Sequence, residues 1–157
     1  MDLAEIRTRL ELHDLYTAYA ACLDTDALEG WPEFFTEDCR YRITSAENYA
    51  AGLPLGLIYA TSKNMLHDRI SALREANIYE PQRYRHIVSS LLVGEKSGNA
   101  VKASASFLVV RIMDNGEATF FASGRYEDTI ALPAMKLEQR VVVCDSRRFD
   151  TLLAIPL

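Results

Sequence analysis

Apolar residues near the start of the chain recur at spacings of three and four: Leu3, Ile6 and Leu10, then Leu12, Leu15, Tyr16, Tyr19 and Leu23. That period predicts an α-helix over residues 3–24 with an apolar stripe along it. A second, short helix is expected over residues 26–35, where Trp31, Phe34 and Phe35 share a face. From Asp38 to Thr44 the pattern alternates Cys39, Tyr41 and Ile43 against Asp38, Arg40 and Arg42, which reads as a short strand. Residues 46–60 mix Gly, Pro and apolar side chains without a period and receive no assignment. Thr61 or Ser62 can cap a third helix running to about Glu75, with Leu66, Ile70 and Leu73 facing inward.

From Arg85 onward the period changes to two. Residues 85–94 form one run, ended by the turn Lys96-Ser97-Gly98-Asn99. Residues 100–113 alternate Val101, Ala103, Ala105, Phe107 and Val109 against Lys102, Ser104 and Ser106. Asn115-Gly116 then predicts a type I′ hairpin, in which both positions take positive φ. Residues 117–129 and 135–145 supply two more strands, joined near Pro133. Helices followed by a long antiparallel meander define an α+β class. A strongly curved antiparallel sheet packed on the N-terminal helices would bury both patterns. That description fits the cone-shaped fold of nuclear transport factor 2 and ketosteroid isomerase, although periodicity alone leaves other α+β layouts open.

A length of 157 residues, with 49% hydrophobic, suits a single domain over residues 1–157 with a sizeable core. The net charge of −5 comes with no Lys/Arg cluster, so neither nucleic acid nor an anionic membrane is an expected partner. The first residues lack the apolar core of a signal peptide, and no run approaches a membrane span, so a cytoplasmic location is expected. Cys22, Cys39 and Cys144 are odd in number and have no CxxC spacing, which argues for reduced thiols rather than a disulfide framework.

Candidate chemistry narrows the picture further. The three histidines, His13, His67 and His86, form no Cys-x-His or Cys-x-x-His pair and no i, i+4 pair. A Rieske cluster needs two Cys and two His, and a non-haem iron site needs two His and a carboxylate. No Gly-x-Gly-x-x-Gly, phosphate loop or Gly-x-Ser-x-Gly elbow is present. The remaining enzymatic reading is acid–base work in an apolar cavity by Tyr16, Tyr19, Asp24, Asp38, Tyr41 and His86. Against it, the tyrosines belong to a packing stripe and Asp24 flanks a helix end. The run from Asp68 to Glu75 carries alternating charges and serves either as a solvated helix face or as a docking face. Arg69, Arg74, Arg83 and Arg85 concentrate there, and arginine is favoured at interfaces for its planar, weakly hydrated fork. Asp68, Arg69, Arg74, Arg85 and His86 are therefore the interface candidates. Two apolar stretches, Leu53–Tyr59 and Leu152–Leu157, either mark an interface or close the end of this same chain.

The stretch Trp31-Pro32-Glu33-Phe34-Phe35-Thr36-Glu37-Asp38-Cys39-Arg40-Tyr41-Arg42 resembles the start of the β subunits of Rieske aromatic-ring-hydroxylating oxygenases. So do Asn48 with Gly52-Leu53-Pro54, the run Met65 to Arg74, then Tyr79, Arg85 and His86, and the ending Cys144-Asp145-Ser146 with Asp150-Thr151-Leu152. Within the family, residues 31–86 are most similar to the terephthalate branch and next to the salicylate 5-hydroxylase branch. The resemblance implies an α3β3 hexamer of mushroom shape, made with a large α subunit and with other β subunits. It places the Rieske [2Fe-2S] cluster, the mononuclear Fe(II) and the substrate pocket on the α subunit. A separate reductase brings electrons from NAD(P)H, and this chain is left a structural role without cofactor or metal. The alternative is a free-standing isomerase, dehydratase or cyclase of the same fold.

Overall fold

The computed structural model describes residues 1–54, 56–75, 80–148 and 155–157. Leu55, Tyr79 and residues 150–154, used in the sequence reading, lie outside the described residues. Helix α1 spans Leu3–Asp24. It begins on a capping box in which the Asp2 carboxylate accepts from the Glu5 amide and the Glu5 carboxylate from the Asp2 amide, both at 2.8 Å. Thr25 caps its other end. A 3-10 helix, Leu28–Phe34, contains Pro32 and buries Trp31. Strand β1, Phe35–Ser45, follows directly, so Phe35 belongs to the strand rather than to the short helix. The unassigned stretch holds helix α2, Ala46–Ala50, and strand β2, Ile58–Ala60. Helix α3 spans Lys63–Glu75, with the Ser62 hydroxyl accepting from the Met65 amide at 3.2 Å.

Strands β3 (Gln82–Ser97), β4 (Ala100–Met113), β5 (Ala118–Ala131) and β6 (Lys136–Cys144) form the expected meander. The sheet is nevertheless mixed. Its order is β2-β1-β6-β5-β4-β3, and β1 lies parallel to β6. Alternation within a strand says which face is buried but nothing about the direction of its neighbour, so the parallel pair had no local signal. Register shifts interrupt β1–β6, β4–β5 and β5–β6 once each and β3–β4 twice. Each such bulge bends and twists its strand, which curls the sheet over α1. The Asn115-Gly116 hairpin also differs from expectation. Only Gly116 of the pair has positive φ, +86°, and the loop is closed by Met113 N–H donating to the Glu117 carbonyl at 2.9 Å. This is the three-residue loop, in which a glycine in the left-handed region completes the turn.

Core residues from α1, the 3-10 helix, β1, α3 and β3–β6 form one cluster. The α1 stripe is buried only along Leu12, Leu15, Tyr16, Tyr19 and Leu23. Leu3 and Leu10 are 85% and 62% exposed, so the apolar stripe expected over the whole helix is buried only from Leu12 onward.

Candidate functional site

The inside of the curved sheet is lined by aromatic rings and holds a buried ion pair. Asp128 on β5 and Arg140 on β6 are direct cross-strand partners. The Arg140 guanidinium grips the Asp128 carboxylate with Nε at 3.0 Å and Nη2 at 2.6 Å, and both side chains are 0% exposed. The Tyr16 hydroxyl donates to the same carboxylate. Arg140 also makes cation–π contacts with three rings, 3.9 Å from the centre of Tyr126, 4.1 Å from that of Tyr19 and 5.0 Å from that of Tyr16. Burial pushes the Tyr16 hydroxyl well above its ordinary pKa, helped by the charge of Asp128, so it stays a neutral donor.

A second polar pair sits where α1 meets β3. The Asp24 carboxylate accepts from the His86 backbone amide at 2.9 and 3.0 Å, and the His86 ring Nδ1 lies 2.6 Å from Asp24 Oδ1. Two of the six acid–base candidates named from sequence, Asp24 and His86, are thus brought together, at the end of a helix. Tyr19 and Tyr41 also meet, around residues 155–157. Tyr19 Oη and Tyr41 Oη each donate to the Leu157 carbonyl oxygen at 2.9 Å, and the Leu157 amide donates to Tyr41 Oη at 3.2 Å. Trp31 Nε1 donates to Tyr19 Oη at 2.9 Å. Ile155 and Leu157 are buried in the core cluster, so this part of the apolar stretch closes on its own chain. Asp38 stands apart, on an open cleft of about 490 Å³ lined by residues of β1, β5 and β6.

The interface candidates divide. Asp68 and Arg85 are exposed, and His86 is buried. Arg69 is half-buried, and its charge acts on the Tyr41 hydroxyl. Arg74 clasps its own chain: Nε to Glu29 at 2.7 Å, Nη1 to Asp26 at 2.9 Å, and Nη2 to the Asp26 carbonyl at 2.8 Å. These bonds hold the Glu29 carboxyl below the usual carboxylate range. Leu53, Leu57 and Tyr59 are exposed while Ile58 turns inward. Among the described residues no group of three His, Cys, Asp or Glu side chains is placed to hold a metal ion, and no helix is long and apolar enough to cross a membrane.

Sequence reasoning passed over Asp128 and Arg140. Their signal was a charge on the apolar face of each strand, Tyr126-x-Asp128-x-Ile130 and Arg140-x-Val142-x-Cys144. Opposite charges on two inward faces of neighbouring strands mark a buried pair.

A helix-filled curved sheet of this kind defines the class of SnoaL-like domains, and the profile of that family matches residues 4–133. The chain is 54% identical over 144 residues to the β 1 subunit of the terminal oxygenase component of terephthalate 1,2-dioxygenase from Comamonas sp., a match covering 89% of this chain and 92% of that one. It is 38% identical to the anthranilate 1,2-dioxygenase small subunit of Burkholderia cepacia, across 98% of this chain and 96% of the relative. A crystal structure described as the β subunit of an aromatic-ring-hydroxylating dioxygenase from Novosphingobium aromaticivorans superposes with a TM-score of 0.89 at 35% identity, covering 99% of this chain and all of the other. The chain belongs to the small, or β, subunits of aromatic-ring-hydroxylating dioxygenases.

Proposed function

We propose that this chain is the structural small subunit of an oxygenase acting on terephthalate or a closely similar aromatic acid. The observation that carries this reading is the 54% identity spread over nearly the whole length of both chains. The chain, one domain over residues 1–157, joins a large α subunit and further β subunits in an α3β3 hexamer in the cytoplasm. The Rieske [2Fe-2S] cluster and mononuclear Fe(II) sit on the α subunit, and electrons come from NAD(P)H through a separate reductase. The exposed Leu53, Leu57 and Tyr59 supply apolar surface of the kind subunits bury, and Asp68 and Arg85 supply outward charge. Co-expression with a large oxygenase subunit of the terephthalate type, followed by light scattering and terephthalate-dependent oxygen uptake with the reductase, tests the reading. A stable complex that needs both chains for turnover is expected. Full turnover by the large subunit alone, or stoichiometric iron on this chain purified by itself, would overturn it.

A further inference from the structure

We propose that the outer face of the sheet joins copies of this chain head to tail, the β3–β5 corner of one copy seated on the β2 edge of the next. The proposal deepens the hexamer reading, on which it rests for the number of copies, by naming the two surfaces that close a ring of small subunits.

Along β4 the side facing away from the core changes character. Lys102, Ser104 and Ser106 point outward over its first half, and Leu108, Val110 and Ile112 over its second, alternating with buried residues throughout. Cross-strand partners share a face. Ile87 stands opposite Leu108, and Phe120 opposite Val110, so the outward apolar set runs across three strands. Ile87 and Phe120 are more than half exposed. A strand that is apolar on both faces is built to be covered on both, and an uncovered apolar patch marks an interface. Arg83 and Arg85 stand on the same face, opposite Ile112 and Val110, and neither makes an ion pair among the described residues. The opposite edge of the sheet, β2, carries a second uncovered apolar patch. Leu57 and Tyr59 are half or more exposed and point away from the buried Ile58. Arg40 donates to the Tyr59 hydroxyl at 3.3 Å and lines the open cleft that holds Asp38 and Glu138. Neither carboxylate makes an ion pair among the described residues. One surface is thus apolar beside unpaired arginines, the other apolar beside unpaired carboxylates. A two-fold contact uses one surface twice, whereas a ring of three needs two different, matching surfaces on every copy.

The test uses the full chain by itself, so that it reads apart from binding of the large subunit. Sedimentation of the wild-type chain should show a trimer. Phe120→Asp puts a carboxylate into the first surface and Tyr59→Asp puts one into the second. Each should leave a folded monomer, its dissociation constant raised at least about a hundredfold, because an unpaired charge would be buried at the contact. Mixed in equal amounts, the two variants retain one intact surface of each kind and should form a 1:1 dimer and no trimer. Thermal melts check the fold, and Ile87→Asp or Leu57→Asp replaces a variant that does not fold. A wild-type monomer, a trimer that survives either substitution, or a mixture that stays monomeric overturns the proposal. So does a wild-type dimer broken by Phe120→Asp alone, which is a two-fold contact. Loss of fold in the replacement variants as well shows these residues to be core rather than interface and overturns it equally. A chain that is monomeric alone yet assembles with the large subunit removes this proposal and leaves the structural small-subunit reading standing.

Discussion

Arg140 and Asp128 are both fully buried, and a charge in that position survives only with its partner. Removing one member leaves the other ionised in an apolar interior, which costs about 3–5 kcal/mol, whereas replacing both by apolar groups of similar volume is often close to neutral. Arg140→Met should lower the urea-unfolding free energy by about 3–5 kcal/mol, and Arg140→Met with Asp128→Leu should restore much of it. A single variant within about 1 kcal/mol of the wild type would mean that the pair is not sealed as described. The cysteines obey the same burial physics. Burial pushes the Cys144 thiol up to about 12, with Asp145 adding to the shift, and it raises Cys22 and Cys39 as well. At pH 8 a pKa near 12 leaves roughly one thiolate in ten thousand. The native protein should therefore react slowly with a thiol reagent at that pH, the half-exposed Cys22 first, and fast only on unfolding. Rapid modification of two or more thiols in the folded protein would contradict this.

Among the elements, the β5–β6 pair depends on a glycine. A Cβ at Gly124 would stand 2.0 Å from the Val143 carbonyl oxygen, a clash with backbone that no rotamer relieves. Gly124→Ala should force the two strands apart at the place where β6 also carries β1. A loss of about 3 kcal/mol in stability is expected, at the upper end of what overpacking costs, and a thermal melt reads it. Helix α3 is tied to the 3-10 helix by the Arg74 clasp, and here the sequence reading of the Asp68–Glu75 run divides by residue. Leu66, Ile70 and Leu73 are buried, Arg74 is spent inside the chain, and Asp68 faces out.

For the whole molecule, that division separates folding from assembly. Arg74→Ala breaks a network of several charge-assisted bonds and should destabilise the isolated chain by about 1–2 kcal/mol. The Glu29 carboxyl is held below its usual range, so its part of that stability is present above the ordinary carboxylate pKa and disappears as pH falls through the lowered value. Arg85→Ala with Asp68→Ala should instead leave the melt within about 0.5 kcal/mol and weaken association with the large subunit, by more than about 1 kcal/mol if the contact is desolvated. Normal assembly of that double variant would make these residues ordinary surface charge. A chain with Leu3, Leu10, Leu57 and Phe120 each more than half exposed has apolar surface left over after folding, as a subunit does.

The sequence by itself determined what is local or periodic. The bounds of α1 and β4, the inward sets of α3, and the meander from β3 to β6 follow from side-chain spacing and turn residues, and the order of its motifs was enough to show the family. Only the tertiary structure decided what depends on distant partners. The parallel β1–β6 pairing, the Asp24–His86 contact across 62 positions and the Asp128–Arg140–Tyr16 network have no local signature beyond a charge on an apolar face. The same holds for Arg74, whose charge reads alike in a helix run whether it faces solvent, another subunit or Glu29. Residues 155–157 are the sharpest case. Their apolar pattern fits an interface and a core equally, and what places them in the core is a pair of tyrosine hydroxyls more than a hundred positions earlier in the chain.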